Sequence, residues 1–380
     1  MAVILLVGPP RDLMGGVTTH LDLLCASALA REHSYVHFTV GSPGPDESAL
    51  RKIVRTITAP FAFVRVTRRS RAQLVHLNPS LDKSFWRDLP LILLAHAMRL
   101  PTVVQIHGGQ RPHEFGAHTP GARALLRLGL RAASHLVVLA RTEQAAFEPV
   151  LEAGRLHLIP NAIDVAPYAG SKPHPYDGKR PLRVIYLGRV VRSKGLFDAC
   201  DALHRVLAGG TAAELLIAGD GPDAGTLAQY VKELGLAHAV RLVGPLHGAA
   251  KTAFLIEADV FLFPTQLAEG LPYSLLECMA AATPAVVTAT GAIVDVVTDG
   301  VDGMLVSAHD VGACAAALTR LAASPKSLHA MARAARERVR TAYSLTRLER
   351  DFAALYRQAL TPDRPAPAAP VEVHTDAEPS

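Results

Sequence analysis

Short apolar runs punctuate the chain, and between them apolar positions recur every third or fourth residue. In the first half the runs are "AVILLVG", "YVHFTV", "FAFVRV", "AQLVHLN", "PTVVQIHG", "SHLVVLA" and "LHLIPN". This alternation predicts βαβ units on a parallel sheet covered on both faces. The pattern breaks after Asp164 at "VAPYAGSKPHPYDGKRP", whose Pro, Gly and polar content marks a linker over 165–180. A second series follows: "LRVIYLG", "AELLIAG", "VRLVG", "DVFLFP" and "PAVVT". Both halves open with a strand, a glycine-containing loop and a helix. The expected architecture is α/β, with two Rossmann-like, doubly wound parallel-sheet domains (1–164 and 181–342) facing each other across a cleft. Helical segments run from Val311 to about Leu360, and the last, over 343–360, is expected to cross back to the N-terminal domain. The Pro- and Ala-rich, acidic stretch 361–380 reads as a disordered tail.

Composition narrows the class. A chain of 380 residues, 49% of them hydrophobic and only 5% aromatic, suits helices packed on parallel strands in two domains. Cys25, Cys200, Cys278 and Cys314 lie far apart in apolar stretches, without the paired spacing of a metal knuckle or redox motif. They read as buried thiols of a reducing cytoplasm. The apolar opening "MAVILLVGPP" lacks a basic leader and runs into a turn, so it reads as a first strand and not as a secretion signal. No apolar run approaches the ~20 residues that cross a bilayer.

Net charge is +5, but seven of the basic residues cluster between Arg51 and Arg71 with no acidic one among them. Two readings stand: a solvated basic helix and strand edge, or a patch for anionic lipid headgroups at the inner face of the membrane. Nucleic acid fits poorly, because no aromatic stacking series accompanies the charge. The amphipathic "SFWRDLPLILLAHAMRL" is expected to pack on the N-terminal sheet.

Two segments carry chemistry. In "LGRVVRSKG", Arg189 and Lys194 follow a strand and precede a helix, so two cations lie beside free backbone N–H groups, as in an anion site. In "AEGLPYSLLECMA", Glu269 lies in the loop after a strand, and Glu277 falls in the second turn of the following helix. Pro272 is well placed at that helix start. Two carboxylates beside a phosphate would repel it, so their natural targets are hydroxyls, and vicinal diols of a ribose and a sugar ring offer such pairs.

"EGLPYSLLE" resembles the E-x7-E motif of the retaining glycosyltransferases of family 4 (glycosyltransferase group 1), which have the GT-B fold. "GRVVRSKG" is similar to their phosphate-binding G-R-x4-K-G, "IPNAIDV" to their P-N-G-[VI]-D hinge, and "IAGDGPD" and "TGAIVDVVTDGVDGMLV" to two further family signatures. The resemblance implies that Glu277 holds the ribose hydroxyls of a nucleotide, Glu269 the transferred sugar, and Arg189 and Lys194 the diphosphate. It implies that Gly15 and Gly16 bring backbone N–H groups near the phosphates and acceptor, and that His107 stands beside the donor sugar. Gly270, Leu271, Tyr273 and Ser274 complete the implied nucleotide-sugar contacts. For Gly15 and Gly16 a tight turn is the competing reading. For His107 the competing readings are a structural histidine and, with His113, Glu114 and His118, a zinc site whose spacing matches no common pattern.

The chain departs from the family pattern in three places. "GLP" replaces Gly-Phe-Gly, and Pro272 supplies no N–H, so the phosphate cradle would lean on the Tyr273 and Ser274 amides. Ala162 replaces the hinge glycine, which implies that no left-handed residue is needed there. Asp295 stands in place of a glutamate. With no Asp-x-Asp clamp in the sequence, the reaction implied is metal-independent and cofactor-free transfer from a nucleotide-diphosphate sugar. It would proceed with retention to a sugar or lipid-linked acceptor of envelope polysaccharide assembly. The rivals are a sugar-nucleotide epimerase of the same fold, a nicotinamide-linked oxidoreductase, and a non-catalytic sugar-nucleotide or membrane-surface binding module.

Overall fold

The computed structural model describes residues 1–13, 15–41, 47–81, 83–108, 120–152, 154–170 and 176–361. His113, Glu114, His118 and the tail beyond Thr361 lie outside them. In chain order the first half comprises β1 (Ala2–Gly8), α1 (Gly16–Ala26), α2 (Leu29–Glu32), β2 (His33–Thr39), α3 (Ala49–Ser70), β3 (Leu74–Leu77), α4 (Lys83–Ala97), β4 (Thr102–Gln105), α5 (Pro120–Ala132), β5 (His135–Val138), α6 (Arg141–Phe147) and β6 (Leu156–Leu158). After α7 (Ala166–Ala169) come β7 (Leu182–Leu187), α8 (Leu196–Ala208), β8 (Ala213–Ala218), α9 (Ala224–Glu233), β9 (Val240–Gly244), α10 (Gly248–Ile256), β10 (Val260–Phe263), α11 (Tyr273–Ala280), β11 (Ala285–Thr288), α12 (Ile293–Val296) and β12 (Gly303–Val306). The helices α13 (Val311–Ala323), α14 (Pro325–Ala342) and α15 (Leu345–Leu360) follow.

Each half forms one six-stranded sheet, in the orders β2-β1-β3-β4-β5-β6 and β12-β11-β10-β7-β8-β9, and every pairing is parallel. The second is the doubly wound dinucleotide-fold order.

The central strands are largely apolar because both faces are covered, whereas the edge strands β2 and β9 are half-buried or exposed along most of their length. Along β1, Leu5 and Val7 join one core with Phe63, Phe85, Leu126 and Phe147, whereas Ile4 and Leu6 join another with Leu21, Leu24, Leu348 and Phe352. Helices α3 to α6 thus share one face of the first sheet. On the other, α1 and α2 are joined by α15, the last helix of the chain. The two-residue period of the strand sorts the side chains between these layers.

Two segments cross between the halves. Ile163 N–H donates to the Tyr343 carbonyl at 3.0 Å and Leu345 N–H to the Ile163 carbonyl at 2.8 Å, so Ile163 and Ser344 lie side by side in parallel. Arg347 clasps the outgoing strand through the Pro160 carbonyl at 2.6 Å. The linker is not featureless: Tyr168 on α7 and Tyr176 are buried in the core of the second half.

The stretch "FAFVRV", expected to be a strand, lies inside α3. Ser48 caps this helix by accepting from Arg51 N–H, and Arg71, at φ 54, closes it. Phe63 and Thr67 are its buried positions, four residues apart on one helical face, and that packing overrides the strand preference of the β-branched residues. By contrast α4 packs as expected, with Phe85, Leu89, Leu91 and Ile92 buried. Among the described residues no helix is long and apolar enough to cross a membrane.

Candidate active site

The order of the second sheet turns where β7 meets β10, with Val184 opposite Val260 and Ile185 opposite Phe261. Doubly wound sheets bind ligands beyond the carboxyl ends of their strands at such a turning point. The loops that leave β7 and β10 carry the predicted residues. After β7 come Gly188, Arg189 and a single 3-10 turn at Arg192–Lys194, and Gly195, at φ 76, opens α8. A Cβ on Gly195 would lie 1.8 Å from the Pro264 carbonyl oxygen, so glycine is what lets the two loops close together. The loop after β8 packs equally tightly: a Cβ on Gly219 would lie 1.8 Å from the Gly188 oxygen, and one on Gly221 2.2 Å from that of Val190.

This packing brings Lys194 Nζ onto Glu269 Oε1 as an ion pair, and Thr265 Oγ1 donates to the same oxygen at 2.8 Å. The Glu269 carbonyl accepts from Ala292 N–H at 3.1 Å, and a Cβ on Gly291 would lie 1.9 Å from it, so the "TGA" turn buttresses the glutamate. Glu277, in the second turn of α11, pairs with Lys251 Nζ of α10 at 2.6 Å. Arg189 is exposed, forms no ion pair with any described residue, and has its carbonyl held by the Tyr186 hydroxyl at 3.0 Å. Pro272 caps α11, and the Tyr273 and Ser274 amides in its first turn have no intrahelical acceptor.

From the first half, α1 and the loops after β3 and β4 face these residues. Gly15 caps α1 with extended backbone (φ 173), and its carbonyl accepts from Thr19 N–H at 2.9 Å and Thr19 Oγ1 at 3.1 Å. A Cβ at Gly15 would approach only Thr18 Oγ1, at 4.0 Å, and one at Gly16 only the Tyr273 ring, at 3.8 Å. Neither dihedral strain nor crowding demands glycine here, and the missing side chains leave room in front of α1. The buried Tyr273 ring points back into the first half, its hydroxyl 3.4 Å from His20 Nδ1.

His107 follows β4. Its Nε2 lies 3.0 Å from Asn78 Oδ1, and Asn78 Nδ2 donates to the Val7 carbonyl at 3.2 Å, which assigns Oδ1 as acceptor and the proton to His107 Nε2. Its ring is 4.9 Å from that of His20. Burial holds His107 well below the ordinary imidazole range and lowers His20 and His76 to about 3, so all three are neutral near pH 7. Next to His107 the halves touch: Gly108, at φ +79, leaves no room for a Cβ, which would lie 2.8 Å from both Cα and N of Gly270.

Asn161 ties the crossing segment to the glutamate loop, donating from Nδ2 to the Leu271 carbonyl at 2.8 Å. Ala162 is buried without a positive φ, as its replacement of glycine implies. The Asp295 carboxylate accepts from Arg141 N–H of the first half at 2.6 Å, so the shorter side chain joins the two halves. Among the described residues no three His, Cys, Asp or Glu side chains group to hold a metal ion. A cavity of about 910 Å³ lies away from this site, at the amino ends of the first sheet's strands, among His96, Arg99, Arg131, His135 and Arg155.

Sequence reasoning missed Lys251, Thr265, Asn161, Asn78 and His20. Lys251 had a signal, as the one charge in the otherwise apolar "GAAKTAFLI". Asn161 sits in the quoted hinge motif, where only the backbone had been considered.

Residues 173–338 match the family described as glycosyl transferases group 1, and residues 14–167 match glycosyltransferase family 4. The chain belongs to these glycosyltransferases. This group 1 glycosyltransferase is 28% identical to the glycogen synthase of Mycobacterium tuberculosis over 294 residues, covering 75% of this chain and 70% of that protein. It is 27% identical over 349 residues to the GDP-mannose-dependent alpha-(1-6)-phosphatidylinositol monomannoside mannosyltransferase of Mycolicibacterium smegmatis, covering 86% of this chain and 90% of that one. Its fold is GT-B. The crystal structure of Anabaena HepE in complex with UDP-glucose superimposes with a TM-score of 0.72 at 16% identity, covering 94% of this chain and 100% of the other.

Proposed function

We propose that this glycosyltransferase moves a sugar from a nucleoside-diphosphate sugar to an acceptor hydroxyl, with retention at the anomeric carbon and without a metal. The observation that carries this reading is the meeting of Lys194 and Glu269 at the turning point of the second sheet, beside Gly270 and the His107 loop. In the free protein the two neutralise each other. A donor would exchange these partners: its diphosphate takes Lys194 and Arg189, and its sugar hydroxyls take the released Glu269. Glu277, held by Lys251, would accept from the ribose hydroxyls.

In the reaction the bond from the anomeric carbon to the diphosphate oxygen breaks and a bond to the acceptor oxygen forms on the same face. The acceptor proton passes to the departing phosphate. Lys194, Arg189 and the first-turn amides of α11 are preorganised for the charge that builds on the leaving group. Neutral His107, oriented by Asn78, lines the sugar side. HepE was crystallised with UDP-glucose, and the mannosyltransferase relative acts on a phosphatidylinositol mannoside, which supports a nucleotide-sugar donor and a lipid-linked or envelope polysaccharide acceptor.

The test is a screen of nucleotide sugars by thermal shift, followed by acceptor trials with the best donor in EDTA and NMR assignment of the new anomeric bond. Transfer with the donor's anomeric configuration is expected. Inversion, dependence on a metal, or conversion of donor alone to an epimer would overturn the reading.

A further inference from the structure

We propose that the amino-terminal half of α3 is a docking face for an anionic lipid surface. Leu50, Ile53, Val54, Ile57 and Phe61 are each 52–76% exposed. Each lies three or four residues from another of the set, which puts all five on one side of the helix. Single exposed apolar side chains are ordinary, but a continuous stripe of five on one helix marks an interaction surface. The helix packs into the core at its other end, where Phe63 and Thr67 are buried and the Phe63 ring meets Phe38 edge-on at 5.6 Å, while near its start Arg55 pairs with Glu47 at 2.6 Å on the side away from the stripe. Of residues 49–58 only Arg55 is even partly covered, so this half stands out from the domain.

Charge selects the occupant. Between Ala49 and Ser70 the helix carries Arg51, Lys52, Arg55, Arg65, Arg68 and Arg69 and no acidic residue. At 100° per residue, Arg51 and Arg65 border the apolar stripe and Arg68 extends it by two turns. Two copies of this chain packed through the stripe would set these arginines against one another, whereas anionic headgroups over an apolar interior complement both features. Helix α5, in the same layer beyond α4, adds Leu125 and Leu128, 48% and 51% exposed, with Arg127 between them.

The place of the face in the fold gives it a use. In a parallel sheet each helix begins where its preceding strand ends, so the projecting end of α3 lies at the carboxyl edge of the first sheet, the edge that carries Gly15 and His107. An acceptor embedded in the bilayer would meet the cleft from that side.

The test is co-sedimentation of the full chain with vesicles of equal parts phosphatidylglycerol and phosphatidylcholine at low salt, against vesicles of phosphatidylcholine alone. Sugar donor is omitted, so the result is independent of the transferase reading. Binding to the anionic vesicles alone is expected, falling by about tenfold or more in Ile57→Asp/Phe61→Asp and in Arg51→Glu/Lys52→Glu. These positions are exposed, and unchanged thermal melting verifies that the variants fold. No binding by the wild type, or binding by the Asp variant equal to wild type, would overturn the proposal. So would a concentration-dependent dimer, seen by sedimentation velocity, that Phe61→Asp abolishes.

Discussion

Lys194 and Glu269 come from loops that leave adjacent strands, and they meet as an ion pair in the free protein. In the proposed reaction the lysine faces developing charge on the leaving diphosphate, where one donor contributes about 10²–10³ in kcat. Lys194→Ala should therefore lower kcat by about that factor while leaving the melting temperature within a few degrees. Steady-state kinetics with the best donor checks this, and a variant within threefold of the wild-type rate would remove the lysine from the reaction.

Glu277 and Lys251 form the second pair, and in the proposed reaction this glutamate holds the ribose hydroxyls and takes no part in the bond change. Glu277→Gln keeps the shape but loses an ionised acceptor, whose hydrogen bonds contribute about 1.5–3 kcal/mol. The expected result is a rise of about ten- to a hundredfold in KM for the donor with a smaller change in kcat. A fall confined to kcat would place the glutamate in the chemical step instead.

Gly108 meets Gly270 where the halves touch. Gly108→Ala combines an unfavourable φ with a Cβ 2.8 Å from two backbone atoms, neither of which can rotate away. Gly154→Ala is the control, since Gly154 shares the positive φ, at +85, but has open space around it. Both should lose similar stability from the dihedral, but only Gly108→Ala should lose activity, by about tenfold or more. Equal activity losses in the two variants would mean that the contact across the halves is immaterial.

The buried histidines make stability depend on pH. His20 and His76, lowered to about 3 by burial, stay neutral in the fold at pH values where the unfolded chain, titrating near 6.5, takes up protons. Stability is thus flat above about pH 7 and falls as pH drops from about 6.5 toward 3, because the unfolded state binds more protons. At pH 5 each such histidine costs about 2 kcal/mol. Urea midpoints from pH 7.5 to 5 should fall accordingly, and His76→Gln should flatten the slope. A wild-type midpoint independent of pH would contradict this.

Much of the site was legible because its chemistry is local. Arg189 and Lys194 sit within one strand-loop-helix passage, as do Glu269 and Glu277, and glycines next to them mark where loops must touch. The partners of these residues were not legible. Lys251 reaches Glu277 across 26 positions, Asn161 reaches Leu271 across 110 and Tyr273 reaches His20 across 253, and no local pattern encodes such meetings. The sheets could be read from their apolar runs, since two-sided burial leaves long uniform stretches. At "FAFVRV" the same reasoning failed: apolar residues that alternate as in a strand are divided, on a helix, between a core-facing Phe63 and an outward Phe61.

The side-by-side crossing at Ile163 and Ser344 limits how the lobes can move. A single covalent thread would allow them to swivel freely, but two threads stitched by backbone hydrogen bonds and gripped by Arg347 form a flat strap. Such a strap flexes across its breadth and resists torsion. Any separation of Gly108 from Gly270 has to bend both threads together at Ile163 and Ser344, because neither can turn without breaking the bonds to the other.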